Sequence, residues 1–129
     1  MCLDTDILVA LLKGHEKATQ TIARLQNAEE PVSTTVITAY ELMKGALASS
    51  KPVENLKTIN DLLQSLTVMV LDHGACLESS RIYSQLRRHG KIVGEFDILI
   101  AGIVKHNKET LITRDKPFQE IEGLKLLTW

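Results

Sequence analysis

Met1-Cys2-Leu3-Asp4-Thr5-Asp6-Ile7-Leu8 contains a change of period. Residues 1–3 suffice only for a minimal strand. The chain turns at Asp4-Thr5, after which Ile7, Leu8, Ala10, Leu11 and Leu12 recur at helical spacing until Gly14. Asp4 therefore sits at a strand-to-helix junction. In open parallel sheets, the carboxyl ends of the strands are where ligands bind.

The same alternation runs through the rest of the chain. A second helix is expected over about residues 15–28, with Ala18, Ile22 and Leu25 on one face. It ends before Glu29-Glu30-Pro31, because the residue preceding a proline resists the helical conformation. Residues 32–35 read as a short strand and 36–47 as a helix that tolerates Gly45. Lys51-Pro52 opens the next unit, where Leu56, Ile59, Leu63 and Leu66 repeat every three or four residues as core contacts, and residues 67–71 follow as a strand. Residues 73–89 form an amphipathic helix through Cys76, Leu77, Ile82, Tyr83 and Leu86, stopped by Gly90 in a left-handed cap, with a loop to Gly94. Residues 96–104 are apolar on nearly every side, the mark of a helix buried all round, and 111–113 and 124–128 supply two further strands. Alternation of this kind predicts an α/β fold of three layers, a short-stranded, mostly parallel sheet between helices, in a single domain over 1–129.

Composition narrows the function. Hydrophobic residues make up 44% of the chain and charged residues 24%, ordinary globular usage. Fifteen Lys and Arg against sixteen Asp and Glu give a net charge of -1, so any nucleic-acid site must be local. Cys2 and Cys76 have neither disulfide-scaffold nor zinc spacing and are expected to be reduced. The absence of room for a leader before Asp4, and of any apolar stretch near the roughly 20 residues a bilayer requires, predicts a cytoplasmic protein without a membrane span.

Four carboxylates lie at the edges of apolar segments or inside one: Asp4, Glu41, Asp97 and Asp115. An α/β sheet can gather acids distant in sequence along one edge, and hard cations such as Mg²⁺ or Mn²⁺ favour oxygen-rich sites. Each acid also has a plainer reading. Asp4 can cap the helix after it, Asp97 can favour a helix dipole, and Asp115 before Lys116-Pro117 can be a turn residue. Glu41, on a largely apolar helix, needs a partner, which could be an arginine.

Leu3-Asp4-Thr5-Asp6-Ile7-Leu8, the Glu41-bearing segment 34–45, Gly94-Glu95-Phe96-Asp97-Ile98-Leu99-Ile100-Ala101 and Leu111-Ile112-Thr113-Arg114-Asp115 resemble, in this order, the blocks of PIN-domain nucleases. The tail from Phe118 through Ile121-Glu122-Gly123-Leu124 to Thr128-Trp129 looks most like that of VapC-type toxins. The resemblance implies a Mg²⁺- or Mn²⁺-dependent endoribonuclease acting on RNA, a homodimer, and a VapB-like antitoxin that holds it inactive. It implies that Asp4, Glu41, Asp97 and Asp115 are catalytic, that Asp4, Asp97 and Asp115 hold metal, and that Thr5 and Thr113 support them. Asp6, where the family often has Asn, is expected to support the site's hydrogen bonds and to raise a neighbouring carboxylate's pKa. Arg87, Arg88, Lys91 and Arg114 are candidate RNA contacts, which Lys13, Lys44, His89 and Lys116 could join.

His15, His73, His89 and His106 lack metal-ligand spacing and are expected on the surface. The alternatives are an RNA-processing PIN nuclease without an antitoxin, a non-catalytic RNA-binding PIN module, and a Mg²⁺-dependent phosphatase using the Asp4-Thr5-Asp6 pattern.

Overall fold

In the computed structural model, which describes residues 1–129, Cys2 and Leu3 form the central strand of a five-stranded sheet. The elements run β1 (Cys2–Leu3), α1 (Thr5–Leu12), α2 (Glu16–Asn27), β2 (Ser33–Thr35), α3 (Val36–Leu47), α4 (Pro52–Gln64) and β3 (Thr67–Met69). They continue with α5 (His73–Arg88), α6 (Glu95–His106), β4 (Leu111–Ile112), a 3-10 helix (Lys116–Glu120) and β5 (Leu126–Leu127). The strand order is β3-β2-β1-β4-β5. Cys2 is in register with Ser33 on one side and Leu111 on the other. Every neighbouring pair is parallel, so the expected mostly parallel sheet is wholly so.

Two-residue strands contribute few ladder bonds, and burial on both faces holds the sheet. Cys2 and Leu111 point into a cluster with Ile82 and Leu86 of α5, Ile98, Ala101 and Val104 of α6, and Phe118 of the 3-10 helix. Leu3 and Ile112, one residue on, point the opposite way onto Ile7, Leu8, Ala18, Ile22, Leu42 and Ile59 of α1 to α4. This period-two split gives the three layers. Ile59 is buried, and Leu56, Leu63 and Leu66 pack around it as expected.

The structure departs from the sequence reading at the edges. The strands expected over 67–71 and 124–128 shrink to Thr67–Met69 and Leu126–Leu127, the two edge strands, each paired on one side only, and Val70 lies exposed just beyond β3. The helix expected to be buried all round is open at its amino end, where Phe96 is 40% exposed. The 3-10 helix begins where a turn was expected, with a proline in its first turn. Gly90 adopts φ 66° and ends α5 as expected.

Helices α5 and α6 approach at Gly102. A Cβ there would lie 2.9 Å from the Ser79 backbone Cα, and Ser79 is itself buried. Backbone cannot yield as a side chain can, so Gly102→Ala is expected to destabilise the fold by about 3 kcal/mol. Thermal unfolding should show a midpoint roughly 10 °C lower. An unchanged midpoint would mean that the two helices slide apart freely.

Candidate active site

The sheet reverses direction of growth between β1 and β4, the topological switch point at which open α/β sheets form a crevice. Asp4 follows β1, while Thr113 and Asp115 follow β4. Glu41 enters from α3, which continues directly from β2, and Asp97 from the first turn of α6. Asp4, Thr5, Asp6, Glu41, Asp97 and Asp115 line one cleft of about 440 Å³, together with Val9, Ala10, Lys13 and His15.

Asp4 occupies the N-cap position of α1, yet its side chain makes no capping bond. Its Oδ2 instead accepts from the Thr113 hydroxyl at 2.7 Å, across 109 residues of sequence. It is only 2% exposed. Asp115 likewise heads the 3-10 helix without capping it, and its backbone N–H donates to Thr113 Oγ1 at 3.0 Å. Helix capping thus accounts for neither acid. Glu41 has found a hydroxyl rather than an arginine: Thr5 Oγ1 donates to Glu41 Oε1 at 2.9 Å and lies 3.1 Å from Thr38 Oγ1. Thr38 in turn bonds Thr35, whose side chain caps α3.

Asp6 bridges two loops. Its Oδ2 accepts from the Arg114 backbone N–H at 2.7 Å and its Oδ1 from the Ile7 N–H at 2.6 Å. The loop after β4 is thereby fastened to the loop after β1.

The electrostatics are lopsided. The protein's ion pairs engage Glu109, Asp61, Glu78, Glu120 and Asp72, and none of the five cleft acids. Burial raises the Asp4 carboxyl to about 7, against the pull of the Thr113 hydroxyl and the Thr5 backbone and with added repulsion from Asp6 and Asp115. Burial also raises Asp97, reinforced by Asp115 and Glu41, and it raises Asp115, reinforced by Asp6. The contribution expected of Asp6 is present in the Asp4 and Asp115 shifts, behind that of burial.

No three of these side chains close on one point tightly enough to form a complete ligand set by themselves. The donor chemistry nonetheless suits a hard divalent cation, which is commonly held by one or two carboxylates together with water and substrate phosphate. Asp4, Asp6, Glu41, Asp97 and Asp115 all line the cleft and can offer oxygens to such an ion.

The candidate RNA contacts do not all gather at the cleft. Arg87 and Arg88 stand in the last turn of α5, where they favour the helix dipole, and Lys91 pairs with Glu120 at 3.0 Å. Arg114 neighbours Asp115 but is stacked on Trp129, 3.6 Å from the ring centre, with Nε donating to the Trp129 carbonyl at 2.5 Å. Lys13 is in the lining. All four histidines are exposed as expected, but His15 also lines the cleft. Sequence reasoning missed His15 and Thr38. Thr38 stands three residues before Glu41 on one helix and so shares its face, a signal that was available. His15 carried no such signal.

The PIN domain family model matches residues 1–124. The tRNA(fMet)-specific endonuclease VapC of Shigella flexneri is 28% identical over 128 residues, covering 98% of this chain and 96% of that protein. Among solved structures, the DNA-bound VapBC of Salmonella typhimurium is 27% identical with a TM-score of 0.90, covering 99% of this chain and 96% of that one. VapBC2 of Rickettsia felis, bound to a fragment of its promoter, is 25% identical with a TM-score of 0.90, covering 99% and 97%. The parallel sheet, the acids gathered at its switch point and a family match across all but the last residues lead to one conclusion: the chain belongs to the PIN domain family.

Proposed function

We propose that residues 1–129 work as one domain, an endoribonuclease that hydrolyses RNA phosphodiester bonds as the toxin of a toxin-antitoxin pair. The observation that carries the chemistry is a cleft of five carboxylates without one ion pair among them. Such a pocket repels a phosphodiester until a divalent cation reverses its charge. Relatives named as VapC endonucleases and VapBC complexes of the same fold support the ribonuclease and a VapB-like antitoxin partner.

In this reading Asp4, Asp97 and Asp115 hold Mg²⁺ or Mn²⁺. When bound, the ion supplies positive charge to the phosphate oxygens and to the oxyanion that develops as the bond breaks. Glu41, fixed by the Thr5 hydroxyl, orients the attacking water. Thr113 holds Asp4 and the Asp115 backbone together, so the two loops present their oxygens as a unit. Asp6 pins the Arg114 backbone and keeps that geometry. Arg87, Arg88, Lys91 and Arg114 take phosphates further along the RNA. Action in the cytoplasm is part of the proposal, resting on where such RNA is found. No helix is long and apolar enough to cross a membrane.

A groove of about 520 Å³ between α1, α3 and α4 shares Thr5, Val9, Lys13 and Glu41 with the cleft and adds Leu12, Leu42 and Ile59. It gives the antitoxin a seat from which the acids are covered. The homodimer is assigned to a different surface, where Tyr83 and Ile92 line one shallow pocket and stand exposed, Ile92 at 97%. Ile92→Glu is expected to weaken self-association at least about tenfold, since burying one such side chain is worth about 1.5–3 kcal/mol. Sedimentation of this variant as the wild-type dimer would place the interface elsewhere.

Incubating the purified chain with structured RNA in Mg²⁺, Mn²⁺ or chelator tests the activity, with Asp97→Asn purified identically as the control for contaminating ribonuclease. Cleavage that needs metal and is lost in the variant is the expected result. Its absence from folded, antitoxin-free protein across a mixed RNA pool would overturn the ribonuclease reading in favour of a binding module.

A further inference from the structure

The acid cleft has one wall that is not acidic. Lys13 and His15 are its only basic side chains, and both belong to the turn between α1 and α2. Gly14 between them adopts φ 74° with open space around it, and the backbone bonds Gly14 N–H to Leu11 O at 3.0 Å and His15 N–H to Ala10 O at 2.9 Å close the turn. The two side chains are thus presented together from a fixed backbone. Neither is consumed within the protein, since the ion pairs involve neither.

The His15 ring has one aromatic partner. It stands edge to face with Trp129, centroids 5.3 Å apart, while the residue itself remains exposed. Trp129 is 5% exposed and carries Arg114 over its ring at 3.6 Å. Its indole N–H is the one buried side-chain polar atom without a hydrogen-bond partner. Buried donors are normally satisfied, so this ring is held by its packing rather than by a hydrogen bond. A lysine beside an exposed aromatic ring is a combination by which proteins hold single-stranded nucleic acid: charge for the backbone, stacking for an unpaired base.

We propose that Lys13 and His15 form a nucleotide subsite beside the scissile phosphate, Lys13 taking a backbone phosphate and the His15 ring an unstacked base, with Trp129 positioning that ring. The subsite rests on the ribonuclease reading and extends it to which part of the RNA is gripped.

The test measures binding of a fluorescent single-stranded oligoribonucleotide and of a ribose-phosphate strand lacking bases, with Mg²⁺ present and in an Asp97→Asn background so that nothing is cut. His15→Ala is expected to weaken RNA binding about tenfold and to leave the base-free strand unaffected, while His15→Phe restores it. Trp129→Ala should reproduce the loss and add little to it when combined with His15→Ala, as expected of a residue that acts through another. Should that variant not fold, Trp129→Phe and the His15 variants carry the test. Lys13→Gln should weaken both ligands and flatten the dependence of log affinity on log salt by about 0.7. Unchanged RNA binding by folded His15→Ala overturns the subsite. If parent protein with Asp97 intact still cuts RNA with metal, the ribonuclease reading survives that result; if it neither cuts nor binds RNA, both fall.

Discussion

Asp97→Asn is expected to slow metal-dependent RNA cleavage roughly a thousandfold, because a carboxylate holding the ion carries several kcal/mol of charge stabilisation and about 4 kcal/mol corresponds to that factor. Asp97 lies where charge is crowded: burial, then Asp115 and Glu41, all raise its pKa. Neutralising it therefore relieves repulsion in the metal-free protein while removing an oxygen ligand. Single-turnover cleavage should fall while the melting temperature stays level or rises. A variant as active as its parent would remove Asp97 from the chemistry.

Asp4→Asn is expected to stabilise the metal-free fold while abolishing activity. The Asp4 pKa rises from 3.8 to about 7 on folding, chiefly through burial. Between those values the folded state keeps a proton that the unfolded state has released, so stability falls as pH rises from about 4 to about 7. At 1.36 kcal/mol per pKa unit, the full penalty above pH 7 is on the order of 4 kcal/mol. An asparagine carries no such penalty and can still accept from the Thr113 hydroxyl. The variant should match wild type near pH 4 in urea unfolding and exceed it by up to about 4 kcal/mol at pH 8. Mg²⁺ should close that gap by stabilising only wild type, and more at pH 8 than at pH 5, since ligand ionisation and metal binding are coupled. A gap that does not change with pH would mean that Asp4 is ionised throughout.

The helices were legible because their signals are long: Ile59 with Leu56, Leu63 and Leu66 states a period several times over, and Gly90 ends α5 where a left-handed residue was needed. Two-residue strands have no period of their own, and their number was readable only through the helices between them. The 3-10 helix went unseen because its buried Phe118 and Ile121 are three apart in an otherwise polar stretch, too short to distinguish from a turn. The acids were legible at the ends of apolar segments, and the structure gathers all of them. Their partners were less so. Thr113 was expected among the supporting residues through the resemblance, but its bond to Asp4 was not, and nothing near His15 points to Trp129; such pairs exist only after the sheet has brought distant segments together. Arg87 and Arg88 were legible as basic residues, but that they lie outside the lining of the cleft was not.

The bond between Asp4 and Thr113 also sets an order of events during synthesis. Asp4 leaves the ribosome well before residues 111–113; until they follow, β1 has β2 on one side but lacks β4 on the other, and Asp4 lacks its hydroxyl, with Asp115 later still. A nascent chain that has emerged only as far as α6 carries Asp4, Glu41 and Asp97 on an unfinished sheet. Vectorial translation thus delays the complete site until β4 and the loop after it have emerged. A partner waiting to cover the cleft thus meets the domain as soon as its site is complete.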